Sequence, residues 1–198
     1  MPIGNSPITK NITNRLPMTA IDESKVTIAP LDATCDIEAA KEIYLEAFPP
    51  AEQRPWKKIV SRCDGKLDLT GVYLNRHLVG MITTWKFDSF IYVEHFVVDP
   101  TLRGRGIGSA AINLLRRQCN PMPILLEAEP EHLSPQALSR IRFYQRLGFH
   151  IIDRSYVQPP YDTYLPPVHL WLMSTDASLS PAEASLLLHR IVYNVTQA

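Results

Sequence analysis

Apolar and polar positions change their period several times along this 198-residue chain, and each change marks an element. Val26 to Leu31 alternates with a period of two, which predicts a strand. Ile37, Ala40, Ile43, Tyr44, Ala47 and Phe48 then recur at helical spacing until Pro49-Pro50 ends the run. Arg54 to Cys63 is a candidate second short helix, with Pro55 in its first turn. After Gly65, Leu67 to Leu74 and Leu78 to Phe87 read as strands joined at Asn75-Arg76, and Phe90 to Val98 as a third; three consecutive antiparallel strands follow.

Asp99-Pro100 stops the third strand, and a glycine-rich loop feeds a helix from Ile107 to Cys119 whose inner face begins with the small residues Gly108 and Ala111. Asn120-Pro121 ends that helix, and Ile124 to Ala128 is a short apolar strand. Ser134 followed by Pro135 is an N-cap with proline at N1, opening a helix with Ala137, Leu138, Ile141 and Tyr144 on one side and Gly148 as its closing glycine. Phe149 to Val157 and Val168 to Met173 are strand candidates around a proline-rich segment, Gln158 to Pro167. A last helix, from Pro181 to Val195, opens on the capping box Ser180-Pro181-Ala182-Glu183 and is expected to turn Ala184, Leu188, Ile191 and Val195 inward.

Length fits one domain, 25–198, after a loose polar leader over 1–24. Twenty basic residues balance twenty acidic ones, so no broad field draws the chain to nucleic acid or to an anionic membrane. No apolar run approaches the roughly 20 residues that span a bilayer. Cys35, Cys63 and Cys119 are odd in number and widely spaced, which suggests neither a disulfide framework nor a zinc site. With no basic-then-apolar signal near Met1, these features point to a cytoplasmic protein.

The loop Arg103-Gly104-Arg105-Gly106-Ile107-Gly108-Ser109 lies between a strand and a helix. Three glycines in five positions bring bare backbone close to a ligand, and the helix that follows aims its unpaired N–H groups at it, so the loop suits an anion. A Walker loop would need Gly-Lys-Ser/Thr where Gly108-Ser109-Ala110 stands, and a dinucleotide fingerprint from Gly104 would need glycine in place of Ser109. The pattern that fits is Arg-x-x-Gly-x-Gly at Arg103, Gly106 and Gly108, which resembles the acyl-CoA pyrophosphate loop of the GNAT family of N-acetyltransferases. Phe143-Tyr144-Gln145-Arg146-Leu147-Gly148-Phe149 is similar to that family's FYxxLGF segment, and the resemblance covers about residues 26 to 174.

The resemblance implies an α/β fold of the α+β kind, a central mixed sheet flanked by helices. In that fold the strands holding Phe96 and Glu127 run parallel and then splay to admit the pantetheine arm of acetyl-CoA. It assigns the pyrophosphate to the amides of Gly104 to Ser109, including Ile107, with Arg103 and Arg105 adding charge or remaining solvated loop residues. It gives backbone N–H groups at Phe96, Val97 and Val98 to the developing oxyanion. Tyr144 matches the tyrosine that protonates the departing sulfur, although its helical register would also suit a core residue. Many relatives carry an asparagine early in this helix, where this chain reads Ser134-Pro135-Gln136-Ala137.

Acetyl transfer to an amine needs a base, a donor to the carbonyl oxygen and a proton for the thiolate. Strict alternation would put Tyr92, Glu94, Phe96 and Val98 on one face and His95 on the other, so Glu94 is the first candidate base, its pKa expected to be raised by partial burial; an ion-paired structural carboxylate is the competing reading. Glu127, with Glu129 on the same face of its strand, is the rival for base or for amine binding. His95 reads as a hydrogen-bonded core histidine. Phe48 to Trp56 and Gln158 to Pro167 would wall the acceptor side, with Glu52 and Asp162 suited to a cationic amine.

The function expected is transfer of the acetyl group of acetyl-CoA to a primary amine of a small molecule or peptide in a ternary complex, without a metal. A non-catalytic acyl-CoA-binding module is the alternative. The C-terminal helix as a partner-binding surface, and a homodimer, stay open.

Overall fold

A computed structural model describes residues 21–194 of the chain. The expected leader therefore lies almost wholly outside the described residues, as does Val195. The elements are β1 (Val26–Pro30), α1 (Thr34–Ala47), α2 (Trp56–Val60), α3 (Arg62–Gly65), β2 (Leu67–Leu74), β3 (His77–Lys86), β4 (Ile91–Val98), α4 (Ile107–Cys119), β5 (Ile124–Ala128), α5 (Pro135–Arg146), β6 (His150–Asp153), β7 (Val157–Gln158), β8 (Val168–His169), β9 (Trp171–Ser174) and α6 (Pro181–Leu187). Seven strands form one mixed sheet in the order β1-β2-β3-β4-β5-β9-β6, with β7 and β8 as a separate small pair.

Each face of the sheet buries its own core. On one side α4 and α5 press Ile107, Ala111, Ile112, Leu115, Ile141 and Tyr144 onto Val93, Leu126 and Met173. On the other, α1, α2 and the turn that follows α6 bring Tyr44, Ile59 and Leu188 onto Leu69, Met81, Tyr92 and Leu172. Helix α5 starts as its sequence dictates, with Ser134 Oγ accepting from Ala137 N–H and Pro135 at the first turn, and it stops at Gly148, whose φ is +83°.

Three departures from strict periodicity shape the site. The β3–β4 ladder slips between Thr83 and Thr84: His95 pairs with Thr83 and Val93 with Thr84, which leaves Glu94 as an extra residue. Thr83 Oγ1 accepts the His95 N–H at 3.0 Å and so holds the bulge. This corrects the expected alternation, because Glu94 and His95 now project to one face, opposite Val93 and Phe96, and His95 lies beside Glu94 rather than pointing away from it.

The expected strand Phe149 to Val157 is also interrupted. Asp153 Oδ1 accepts from both the N–H and the hydroxyl of Ser155 at 2.7 Å, an Asx turn that ends β6 early. At the C-terminus α6 widens into a π turn over Leu188–Val192, closed by Tyr193 N–H on Leu188 C=O at 3.1 Å. The extra residue per turn buries Val192 and leaves Ile191 37% exposed, reversing the inward position expected for Ile191.

Finally, β4 and β5 run parallel but pair only from Ile91↔Ile124 to Val93↔Leu126, then part. Glu94 and Glu127 are each the first residue beyond the last pair. Among the described residues no helix is long and apolar enough to cross a membrane.

Candidate active site

Where β4 and β5 separate, a cavity of about 700 Å³ opens between them. One end is walled by Val98, Arg103, Gly104, Gly106, Gly108, Ser109 and Tyr144, the other by Phe48, Glu52, Glu94, His95, Glu127, Gln158 and Tyr161. A single channel therefore joins the glycine loop to both candidate bases.

Asp99 shapes the entry to the loop by accepting the N–H and hydroxyl of Thr101 on one oxygen. Gly104 and Gly106 have φ of +75° and +93°, a region that side-chain-bearing residues rarely adopt. Gly106 is the N-cap of α4 and brings no side chain to it, so the N–H groups of the first turn stay open toward the cavity. A Cβ on Gly108 would lie 3.3 Å from Phe143 Cζ, which is how closely α4 and α5 approach there. Arg103 lies in the wall and donates from Nε to Val98 C=O at 3.2 Å. Arg105 is exposed and outside the wall, its carbonyl accepting from Ile21 N–H.

The three backbone donors expected on β4 divide. Asp99 N–H donates to Val79 C=O across the ladder, and the register Val97↔Met81 repeats that arrangement two residues earlier. Val97 borders the cavity but its N–H faces β3, unlike the expectation for that donor, while Phe96 and Val98 turn theirs to the side that β5 has left.

Glu94 is fully enclosed. Its Oε1 accepts from Arg54 Nε at 2.7 Å, Arg54 Nη2 at 2.6 Å and Tyr161 Oη at 2.9 Å, and its Oε2 accepts from Trp85 Nε1 at 2.9 Å. Burial pushes its pKa up, but the Arg54 guanidinium and the remaining donors prevail and hold it below the usual carboxylate value. The expected upward shift is thus reversed, because an arginine just before Pro55 folds onto this carboxylate from 40 residues away. Arg54 also lies against the rings of Tyr161 and Trp85 and donates to Val192 C=O.

Glu127 has the opposite environment. Among the described residues it has no cation beside it, and burial raises its pKa to about 7, against the hydroxyls of Tyr156, Tyr92 and Tyr193, while the Glu94 charge adds to the rise. Tyr193 Oη lies 3.1 Å from Oε2 and 3.3 Å from Oε1, and Tyr92 Oη is 3.1 Å from Tyr193 Oη. Tyr156 Oη is close enough to depress the carboxyl's pKa yet makes no hydrogen bond of normal geometry.

Tyr144 is 6% exposed, its ring packed on Phe143 and Phe149 and its phenol in the cavity wall; burial pushes its pKa up to about 12, so it is protonated at neutral pH. His95 is buried and neutral, its pKa lowered by desolvation, with Nδ1 on Thr83 Oγ1 and Nε2 near Tyr44 Oη and Glu52 C=O. Of the acceptor-side acids, Glu52 lines the cavity with its pKa raised by burial and by Glu129, whereas Asp162 does not line it.

Sequence reasoning missed Arg54, Trp85, Tyr161 and Tyr193. Arg54 and Tyr161 lay inside the segments expected to wall the acceptor, but no local signal joined Arg54 or Tyr193 to either glutamate.

Residues 37–149 match the acetyltransferase (GNAT) family description, over half the chain. YjbC of Bacillus subtilis, assigned as an acetyltransferase, is 32% identical over 105 residues, 52% of this chain and 53% of that protein, so the match spans about half the length of this curated relative. A Bacteroides thetaiotaomicron structure assigned as a GNAT acetyltransferase is 33% identical, covering 86% of this chain and 99% of its own with a TM-score of 0.76. A GNAT acetyltransferase from Elizabethkingia anophelis, solved with acetyl-CoA bound, covers 76% and 97% at 17% identity with a TM-score of 0.55, a likeness of fold. With its family match, its splayed parallel strands and the glycine loop at the mouth of the gap, the chain belongs to the GNAT family of acetyltransferases.

Proposed function

We propose that this protein transfers the acetyl group of acetyl-CoA to a primary amine by direct attack, with Glu127 taking the amine's proton, directly or through a water. One observation carries this reading: the cavity that begins at the glycine loop ends at a carboxylate whose pKa lies near 7, where a base can both hold and release a proton at physiological pH. The thioester of acetyl-CoA supplies the activated acyl group.

The residues present suit that donor. The open N–H groups of the α4 first turn and of Gly104 to Ser109 accommodate a diphosphate, and the unpaired edge of β4 offers Phe96 and Val98 N–H to amide and carbonyl oxygens. Another member of this fold holds acetyl-CoA. As the amine attacks, Glu127 receives its proton, a β4 N–H bears on the carbonyl oxygen that gains charge, and Tyr144 gives its proton to the departing sulfur. Glu94 stays ionised on Arg54, fixes Tyr161, and by its charge keeps Glu127 basic.

A thiol-release assay with acetyl-CoA and a panel of amines tests this. Turnover is expected, with Glu127→Gln at least about 10²-fold slower. Binding of acetyl-CoA with no thiol released by any amine would mark an acyl-CoA-binding module instead.

A further inference from the structure

Gln158 stands in the cavity wall at the acceptor end, only 3% exposed, and its Nε2 has no hydrogen-bond partner among the described residues. Its backbone is pinned by β7 pairing to Val168 and by the two prolines that follow, so the side chain is presented from a stiff frame. An amide donor held out of water with nothing to bond is unfavourable, and a ligand in the cavity that Gln158 lines can relieve this once the amide turns toward it.

That partner must carry an acceptor oxygen, and its charge is constrained. Glu94 is neutralised by Arg54 and Glu129 by Arg140, but Glu52 and Glu127 line the same end without an ion-pair partner among the described residues. A ligand carboxylate would meet these acids, whereas a neutral carbonyl would not. Phe48, Leu170 and Tyr161 give apolar surface beside it.

We infer that Gln158 is a specificity-determining residue that donates to a neutral carbonyl oxygen on the acceptor. The preferred acceptors are amines that carry an amide, such as amino-acid amides and peptide N-termini, ahead of plain alkylamines and free amino acids. This inference rests on the acyl transfer proposed above.

The experiment compares alaninamide, isopropylamine and alanine as acceptors for wild-type protein and for Gln158→Met, which keeps the volume and removes the donor. An amide also makes its neighbouring amine less basic. The deciding quantity is therefore the alaninamide-to-isopropylamine ratio of kcat/KM in wild type divided by the same ratio in the variant. A quotient of about ten, set by a higher KM for alaninamide, is expected, with alanine poor in both proteins. A quotient near one, or alanine matching alaninamide, overturns the inference while leaving acyl transfer intact. Absence of thiol release with every amine would instead strike the underlying function. Should Gln158→Met not fold, by circular dichroism, Gln158→Leu gives the same quotient.

Discussion

Arg54 Nη2 lies 2.6 Å from Oε1 of Glu94, and both side chains are almost wholly removed from solvent. The pair ties the segment after α1 to the bulge of β4 and, through Val192 C=O, to the C-terminal π turn. Removing one partner of a buried pair strands the other charge. Arg54→Met is therefore expected to destabilise the fold by about 3–5 kcal/mol, measured by urea unfolding at pH 7. Adding Glu94→Gln should recover part of that loss; a double variant no more stable than the single one would mean that the stranded charge is not the cause.

Glu127 makes stability depend on pH in the opposite sense from an ion-paired acid. Its folded pKa of about 7 exceeds the ordinary 4.5, so between those values the folded protein keeps a proton that the unfolded chain has lost. Its contribution is complete below pH 4.5 and declines as pH rises through 7. Relative to wild type, Glu127→Gln should gain stability from pH 4 to pH 8 by on the order of 3 kcal/mol, while losing turnover. Parallel stability curves for the two proteins would show that burial does not tax this carboxylate.

Tyr193 donates to Glu127 and so favours its ionised form. Without that hydroxyl the carboxyl should be harder to ionise. The rising limb of the kcat/KM profile, expected near pH 7 in wild type, should move up by about one pH unit in Tyr193→Phe. A profile that merely drops in height, with its midpoint unmoved, would separate Tyr193 from the base.

Tyr144→Phe should lower kcat by at least about 10²-fold and leave acetyl-CoA affinity nearly unchanged, read by thiol release and by calorimetry. The phenyl ring would still pack on Phe143 and Phe149, so the loss isolates the proton. Equal turnover in the variant would return Tyr144 to the core it also serves.

The mutual placement of Glu94 and His95 illustrates what periodicity could and could not convey. Strand β4 was legible from its apolar run, as were α4, β5, the cap at Ser134 and the stop at Gly148, because each is fixed by residues near one another in sequence. The glycine loop was legible for the same reason: φ demands at Gly104 and Gly106 are local. A bulge is not local, since whether β4 carries an extra residue depends on its register against β3 and on Thr83 capturing the His95 N–H.

The amino-acid sequence by itself thus determined most of the elements, their order, the glycine-rich loop and the two glutamates that flank the gap. Tertiary structure alone decided which of them keeps a pKa near 7 and which is held below the usual carboxylate value. Identical carboxyl groups sit one step past the same ladder pair, but Arg54 folds onto Glu94, whereas Glu127 meets tyrosine hydroxyls and no cation among the described residues. A pKa follows from the charges and solvent within a few ångströms, and the chain brings those together from distant positions only once it has folded.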